Sequence, residues 1–141
     1  MITVYTDGAC SGNPGKGGWG VVILINKDEI FLNGGDNNTT NNKMELTAAI
    51  EALKHFKKRE KITLITDSKY VKDGIQTWIK NWKKNNWKTS AKKPVKNKEL
   101  WIELDDLITR HHVNWEWVKG HAGNKYNEKA DDLARRYIED I

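Results

Sequence analysis

Hydrophobic and polar positions alternate from the start of the chain. Ile2, Val4 and Thr6 interleave with Thr3, Tyr5 and Asp7, a period of two that predicts a strand ending at Asp7, with Gly8 behind it. Cys10–Gly18 is rich in glycine and reads as a turn. Trp19–Ile25 is an almost unbroken apolar run, as expected of a buried strand, and Glu29–Leu32 alternates again beyond a turn-like Asn26-Lys27-Asp28. These segments predict an antiparallel meander of three strands. The polar run Gly34–Asn42 reads as a loop that ends in helix N-cap residues.

Lys43–Lys57 is the clearest helix, with Met44, Ala48, Ala49, Ala52, Leu53 and Phe56 on one face. Lys61–Thr66 predicts a short strand closed by Asp67, and Ser68–Gly74 a short helix stopped by its glycine. Ile75–Lys84 repeats apolar residues at helical spacing, Asn85–Lys98 reads as a loop, and Glu99–Arg110 is an amphipathic helix. Val113–Val118 alternates cleanly as a strand; residues 120–124 form a loop before a last helix over Tyr126–Ile138. The order β-β-β-α-β-α-α-α-β-α predicts an α/β fold, a mixed sheet with helices on its faces.

Composition adds limits. A chain of 141 residues without internal repeat or linker is expected to form a single domain, residues 1–141. Cys10 is the only cysteine, so no internal disulfide forms, and no Cys/His cluster has zinc-ligand spacing. Neither a leader nor an apolar run of membrane-spanning length is apparent, so a cytoplasmic protein with no membrane partner is expected. The net charge of +5 is unevenly placed: Gly74–Lys98 holds eight lysines and no acidic residue. Without those eight, 16 of the 24 basic residues remain against 19 acidic ones. An acidic-leaning domain with one basic patch suits an anionic polymer as partner.

Candidate chemistry lies in carboxylates at element junctions. Asp7 and Asp67 each close a strand, so parallel neighbouring strands would bring both to one sheet edge. Glu45 lies in the first turn of the long helix, and Asp131 in the last helix. Each has a plainer reading. Asp7 with Gly8 is a turn former, Glu45 completes a capping box with Asn42, Asp67 caps the helix at Ser68, and Asp131 and Asp132 form a solvated face near Lys129 and Arg135. Taken together they suit phosphodiester hydrolysis, in which two divalent ions about 3.5–4 Å apart activate water and stabilise the leaving oxygen. All-oxygen ligands favour Mg²⁺. His121 stands between Gly120 and Gly123 on a pliable loop, where an imidazole can shuttle protons near neutral pH. Trp78, Trp82 and Trp87 interleave with Lys80, Lys83, Lys84 and Lys88, either as a cationic and aromatic surface for nucleic acid or as inward-packed rings under a solvated lysine face.

The stretches Tyr5-Thr-Asp-Gly-Ala-Cys, Gly12-Asn-Pro-Gly, Thr39-Thr-Asn-Asn-Lys-Met-Glu-Leu, Thr66-Asp-Ser-Lys-Tyr-Val, Trp115-Glu-Trp-Val-Lys-Gly-His-Ala-Gly and Asn127-Glu-Lys-Ala-Asp-Asp-Leu-Ala closely resemble the bacterial type-1 ribonucleases H, in family order and across the whole chain. The resemblance implies a five-stranded mixed sheet flanked by helices. It also implies hydrolysis of the RNA strand of RNA/DNA hybrids to 5′-phosphate and 3′-hydroxyl ends, with two Mg²⁺, for which Mn²⁺ can substitute. On this resemblance Asp7, Glu45, Asp67 and Asp131 are the metal-binding carboxylates, Asp131 being chosen over Asp132, and His121 assists proton transfer or product release. Asn13, Asn41 and Asn42 match residues suited to reading 2′-hydroxyls, while Thr40 and Asn97 match positions that hold a DNA phosphate. Residues 75–98 correspond to a basic protrusion on the DNA strand, carrying Trp78, Trp82, Lys83, Lys84 and Lys88.

The chain departs from the family pattern at Asn38, where arginine is common, and at Lys69, where glutamine is common; Lys69 stays among the candidate hybrid contacts. Asn85-Asn86 replaces a more basic turn, and the sequence stops at Ile141 without a longer tail. These differences bear on affinity and cleavage-site preference, not on the reaction class. A monomer without an obligate protein partner is expected.

Overall fold

The computed structural model describes residues 1–119 and 124–140. Five strands, β1 (Ile2–Gly12), β2 (Gly15–Ile25), β3 (Asp28–Thr39), β4 (Lys61–Thr66) and β5 (His112–Trp117), form one sheet in the order β3-β2-β1-β4-β5. The three N-terminal strands are antiparallel, and β4 and β5 run parallel to β1. The helices are α1 (Asn41–Lys54), α2 (Lys69–Asp73), α3 (Ile79–Lys84), α4 (Lys98–Arg110) and α5 (Lys125–Asp140), with a π-helical turn, Gly74–Trp78, joining α2 to α3. Among the described residues no helix is long and apolar enough to cross a membrane.

Strand alternation divides the apolar residues between two faces. Val4, Val21, Ile23, Ile62 and Leu64 meet Leu46, Ala49, Leu53, Trp101 and Leu104 of α1 and α4 in the main core. Tyr5, Val22 and Leu24 meet Tyr126, Ala130 and Leu133 of α5 on the other face. The sheet is therefore sandwiched, and its central strand β1 touches both helical layers.

The predicted sheet and element order are present, but several boundaries shift for physical reasons. The glycine-rich Cys10–Gly18 is not a loop: β1 and β2 stay paired out to Gly12 opposite Gly15, and only Asn13 and Pro14 make the tip. Glycines are used in β2 for close approach. A Cβ at Gly18 would strike the Ala134 carbonyl oxygen, and one at Gly20 the Ala130 carbonyl oxygen, so α5 lies directly on the backbone of β2. Likewise most of the expected loop Gly34–Asn42 is strand, because β3 continues to Thr39 against Gly15. Helix α1 starts at Asn41, capped by Thr40, whose Oγ1 accepts from the Lys43 N–H at 3.2 Å. It ends at Lys54 rather than Lys57, while Phe56 packs on the core from outside the helix. Gly74 does not stop the second helix. Its backbone is right-handed helical, and the helical run passes through the π-turn to Lys84.

Candidate active site

Asp7 lies inside β1 rather than at its end. What stops there is the parallel pairing: Thr6 opposite Thr66 is the last β1–β4 pair, while the antiparallel pairing continues on the other side, with Asp7 opposite Gly20. The carboxylate of Asp7 thus emerges where β4 ends, and the residue that follows β4 is Asp67. This removes the Asp-Gly turn reading. Gly8 makes a close approach: a Cβ there would lie 2.5 Å from the Glu45 nitrogen, so β1 touches the first turns of α1 and Glu45 is carried to Asp7.

The plain readings of Glu45 and Asp67 also fall, whereas Asp131 and Asp132 do pair with Arg135 and Lys129 as their plain reading expects. With Thr40 as the N-cap, the capping-box position is Lys43, and Glu45 lies two residues beyond it. Ser68 caps α2, its Oγ accepting from the Val71 N–H at 3.1 Å, which leaves Asp67 free of that duty. Asp7, Glu45 and Asp67 each present an oxygen, and the three oxygens lie within 4.8 Å of one another. Asp131 stands outside this trio but beside Asp7, where it acts on that carboxyl through its charge and a hydrogen bond. Arg135, one turn further along α5, holds Asp131 Oδ2 at 2.9 Å. Asp132 points elsewhere, to Arg136 and Lys129.

The electrostatics follow from the crowding. Burial, then the charges of Asp67 and Asp131, push the Asp7 carboxyl up to about 8, against one N–H bond from Gly8 at 2.9 Å that acts the other way. Glu45 is raised well above its ordinary value by burial, then by Asp7 and Asp67. Its Oε1 is buried and has no hydrogen-bond partner among the described residues. A buried, unpartnered carboxylate oxygen facing two further carboxylates is a ligand set for a hard divalent cation.

Several candidate substrate contacts are neighbours. Asn13 at the hairpin tip accepts the Asn41 N–H through its Oδ1 at 3.3 Å, bringing Asn13, Thr40, Asn41 and Asn42 together at the start of α1. Lys69 is exposed on the first turn of α2, beside Asp67. Asn97, in a left-handed conformation before α4, donates to the Tyr70 hydroxyl at 3.1 Å, which Trp101 also donates to at 2.9 Å. The tryptophans pack partly inward, as the plainer reading expects. Trp78, Trp82 and Trp87 are half-buried, each ring 5.7–6.2 Å from the next, and Trp82 lies 5.4 Å from Trp101. Lys84 and Lys88 are exposed above them, while Lys83 pairs with Asp105 at 3.3 Å. His121 and its loop lie outside the described residues. Of the other histidines, His55, just past α1, and His112, which opens β5, are exposed, while His111 is buried. Its Nδ1 accepts from the Glu60 N–H at 3.1 Å, and its Nε2 lies 3.2 Å from the Leu53 carbonyl oxygen.

Gly8, Gly20, Ser68 and Arg135 shape the site without having been singled out for it by the sequence. The i, i+4 spacing of Asp131 and Arg135 was a visible signal; the glycines gave none, because close approach leaves no mark in a pattern of apolar residues.

The model of the RNase H family matches residues 1–139. The chain is 60% identical over 137 residues to a ribonuclease H of Ehrlichia canis, covering 97% of this chain and 94% of that protein. It is 59% identical over 135 residues to a ribonuclease HI of Neisseria meningitidis, covering 96% and 93%. Among solved structures it is similar to LC9-RNase H1, a type 1 RNase H with the type 2 active-site motif, with a TM-score of 0.87, 33% identity and coverage of 99% of this chain and 72% of that one.

Proposed function

Because this chain belongs to the ribonuclease H family, we propose that its carboxylate cluster is the catalytic centre of a two-metal hydrolysis. The reaction is cleavage of the RNA strand of an RNA/DNA hybrid by an endonuclease. The observation that carries the proposal is the convergence of Asp7, Glu45 and Asp67 from three separate elements, with the orphaned Glu45 Oε1 among them.

Asp7, Glu45, Asp67 and Asp131 would hold two divalent cations, Mg²⁺ by preference for oxygen donors and Mn²⁺ as a substitute. When bound, the ions supply a nucleophile from water and neutralise charge on the leaving oxygen in an in-line displacement, giving 5′-phosphate and 3′-hydroxyl ends. The Gly8 N–H holds Oδ1 of Asp7 and so fixes the orientation of the carboxylate. Loading would favour the ionised forms of Asp7 and Glu45 against the burial that raises both, and Arg135 would limit the negative charge that Asp131 brings. His121 assists proton transfer or product release.

Asn13, Asn41 and Asn42 suit the reading of 2′-hydroxyls, since an amide both donates and accepts. Thr40 and Asn97 would take a DNA phosphate, Lys69 would contact the hybrid beside Asp67, and Trp78, Trp82, Lys83, Lys84 and Lys88 would grip the DNA strand from the protrusion at residues 75–98. In this reading residues 1–141 act as one catalytic domain in the cytoplasm.

End-labelled RNA/DNA, RNA/RNA and DNA/DNA duplexes, each incubated with Mg²⁺ or with EDTA, test the proposal. The expected result is cutting of the RNA strand in the hybrid alone, lost in EDTA and lost in Asp67→Asn while hybrid binding persists. Cutting that survives EDTA, or equal cutting of DNA/DNA, contradicts it.

A further inference from the structure

Strands β4 and β5 run parallel and end at the sheet edge that carries Asp67. The Val118 N–H donates to the Thr66 carbonyl at 3.1 Å, carrying the ladder one residue past β5 and setting Lys119 beside the start of α2. Lys69 and Lys72 stand three residues apart on α2, on one side of it. Together with Asp67 and Asp73, these three lysines line a cleft of about 360 Å³.

The charge in this cleft is unspent. None of Lys69, Lys72 and Lys119 forms an ion pair among the described residues, although Asp73 shares the lining. Three lysines against Asp67 and Asp73 leave the lining with a formal excess of one positive charge, which a divalent cation held at Asp67 would raise, so an anion is favoured there. Asp67 forms part of the wall, so an anion seated there lies directly beside the carboxylate cluster. The anions nearest a linkage being cut are the neighbouring phosphates of the same strand.

We infer that Lys69, Lys72 and Lys119 form a subsite for a non-scissile phosphate of the RNA strand, adjacent to the one that is cleaved. The inference rests on the hybrid-hydrolysis reading above. Such a contact carries no base or sugar information; it fixes the register of the strand along the cluster. These lysines are positioning residues, distinct in task from the asparagines that face the sugars.

The test uses hybrids in which one phosphate at a time, on either strand, is replaced by an uncharged methylphosphonate near a single cleavable position. With the wild-type protein, kcat/KM should fall about tenfold when the neutral linkage occupies one flanking position of the RNA strand. The triple variant K69Q/K72Q/K119Q should be about tenfold slower on the unmodified hybrid and lose less than twofold more from that linkage. The slope of log(kcat/KM) against log[salt] should flatten by about one. K119Q alone should show the same loss of sensitivity in part. Equal penalties in wild type and variant at every RNA position, or a differential confined to the DNA strand, would overturn the subsite. Absence of any cleavage of the unmodified hybrid by wild type with Mg²⁺ would instead overturn the hydrolysis reading, so the two failures are distinct.

Discussion

Asp7 is buried among like charges, and its carboxyl is pushed up to about 8 from an ordinary 3.8, by burial first and then by Asp67 and Asp131. Without metal, the folded protein therefore keeps a proton on Asp7 that the unfolded chain has released. Between pH about 4 and 8 the folded state binds more protons, so stability falls as pH rises through that window. In EDTA the midpoint of thermal unfolding should drop steadily from pH 5 to pH 8. Asp7→Asn should lessen that slope, leaving the part that buried Glu45 contributes, and be more stable than wild type at pH 8, by on the order of a few kcal/mol. A wild-type midpoint that does not move with pH would contradict the burial of these charges. At this scale the sequence revealed the carboxylates but not their partners. Asp7 reads from its neighbours as the end of a strand, because the alternation is interrupted by Gly8. Only the sheet shows that Gly8 is there to let α1 approach.

The elements themselves were read well where periodicity spoke and poorly where glycine did. Helices α4 and α5, with apolar residues at steady helical spacing, lie close to their expected bounds. The ends of β1, β2 and β3 read as loops in the sequence because glycine and asparagine mimic turn chemistry, whereas in β2 glycine serves contact with α5. That contact sets the position of Asp131. Gly20→Ala would press a methyl group into the Ala130 carbonyl, one residue before Asp131, and lift α5 from the sheet. We expect a loss of roughly 1–3 kcal/mol in urea unfolding, together with a fall in kcat that Mg²⁺ saturation does not restore. Wild-type stability and turnover in this variant would show that α5 is not seated by that glycine.

Over the whole molecule, charge is segregated: lysines crowd Gly74–Lys98 and carboxylates converge on the sheet edge. The first half of that statement is legible from composition alone; the second needs the parallel pairing of β1 with β4, which no local pattern encodes. Segregation is not uniform in effect. Lys83 is partly neutralised by Asp105, whereas Lys84 has no carboxylate partner among the described residues. In hybrid-binding titrations against salt, Lys84→Ala should reduce the slope by up to about one, and Lys83→Ala by less. Equal slopes would mean that Asp105 releases Lys83 on binding.

The central claim is that four carboxylates from separate elements hold a pair of ions. Electron paramagnetic resonance of Mn²⁺ bound to the protein with a hybrid carrying a nonhydrolysable RNA linkage tests it directly. Two ions about 3.5–4 Å apart should give a spin-coupled spectrum at a stoichiometry of two, reduced to one uncoupled ion in Asp131→Asn. A single uncoupled Mn²⁺ in the wild-type complex, at saturating metal, would contradict the account.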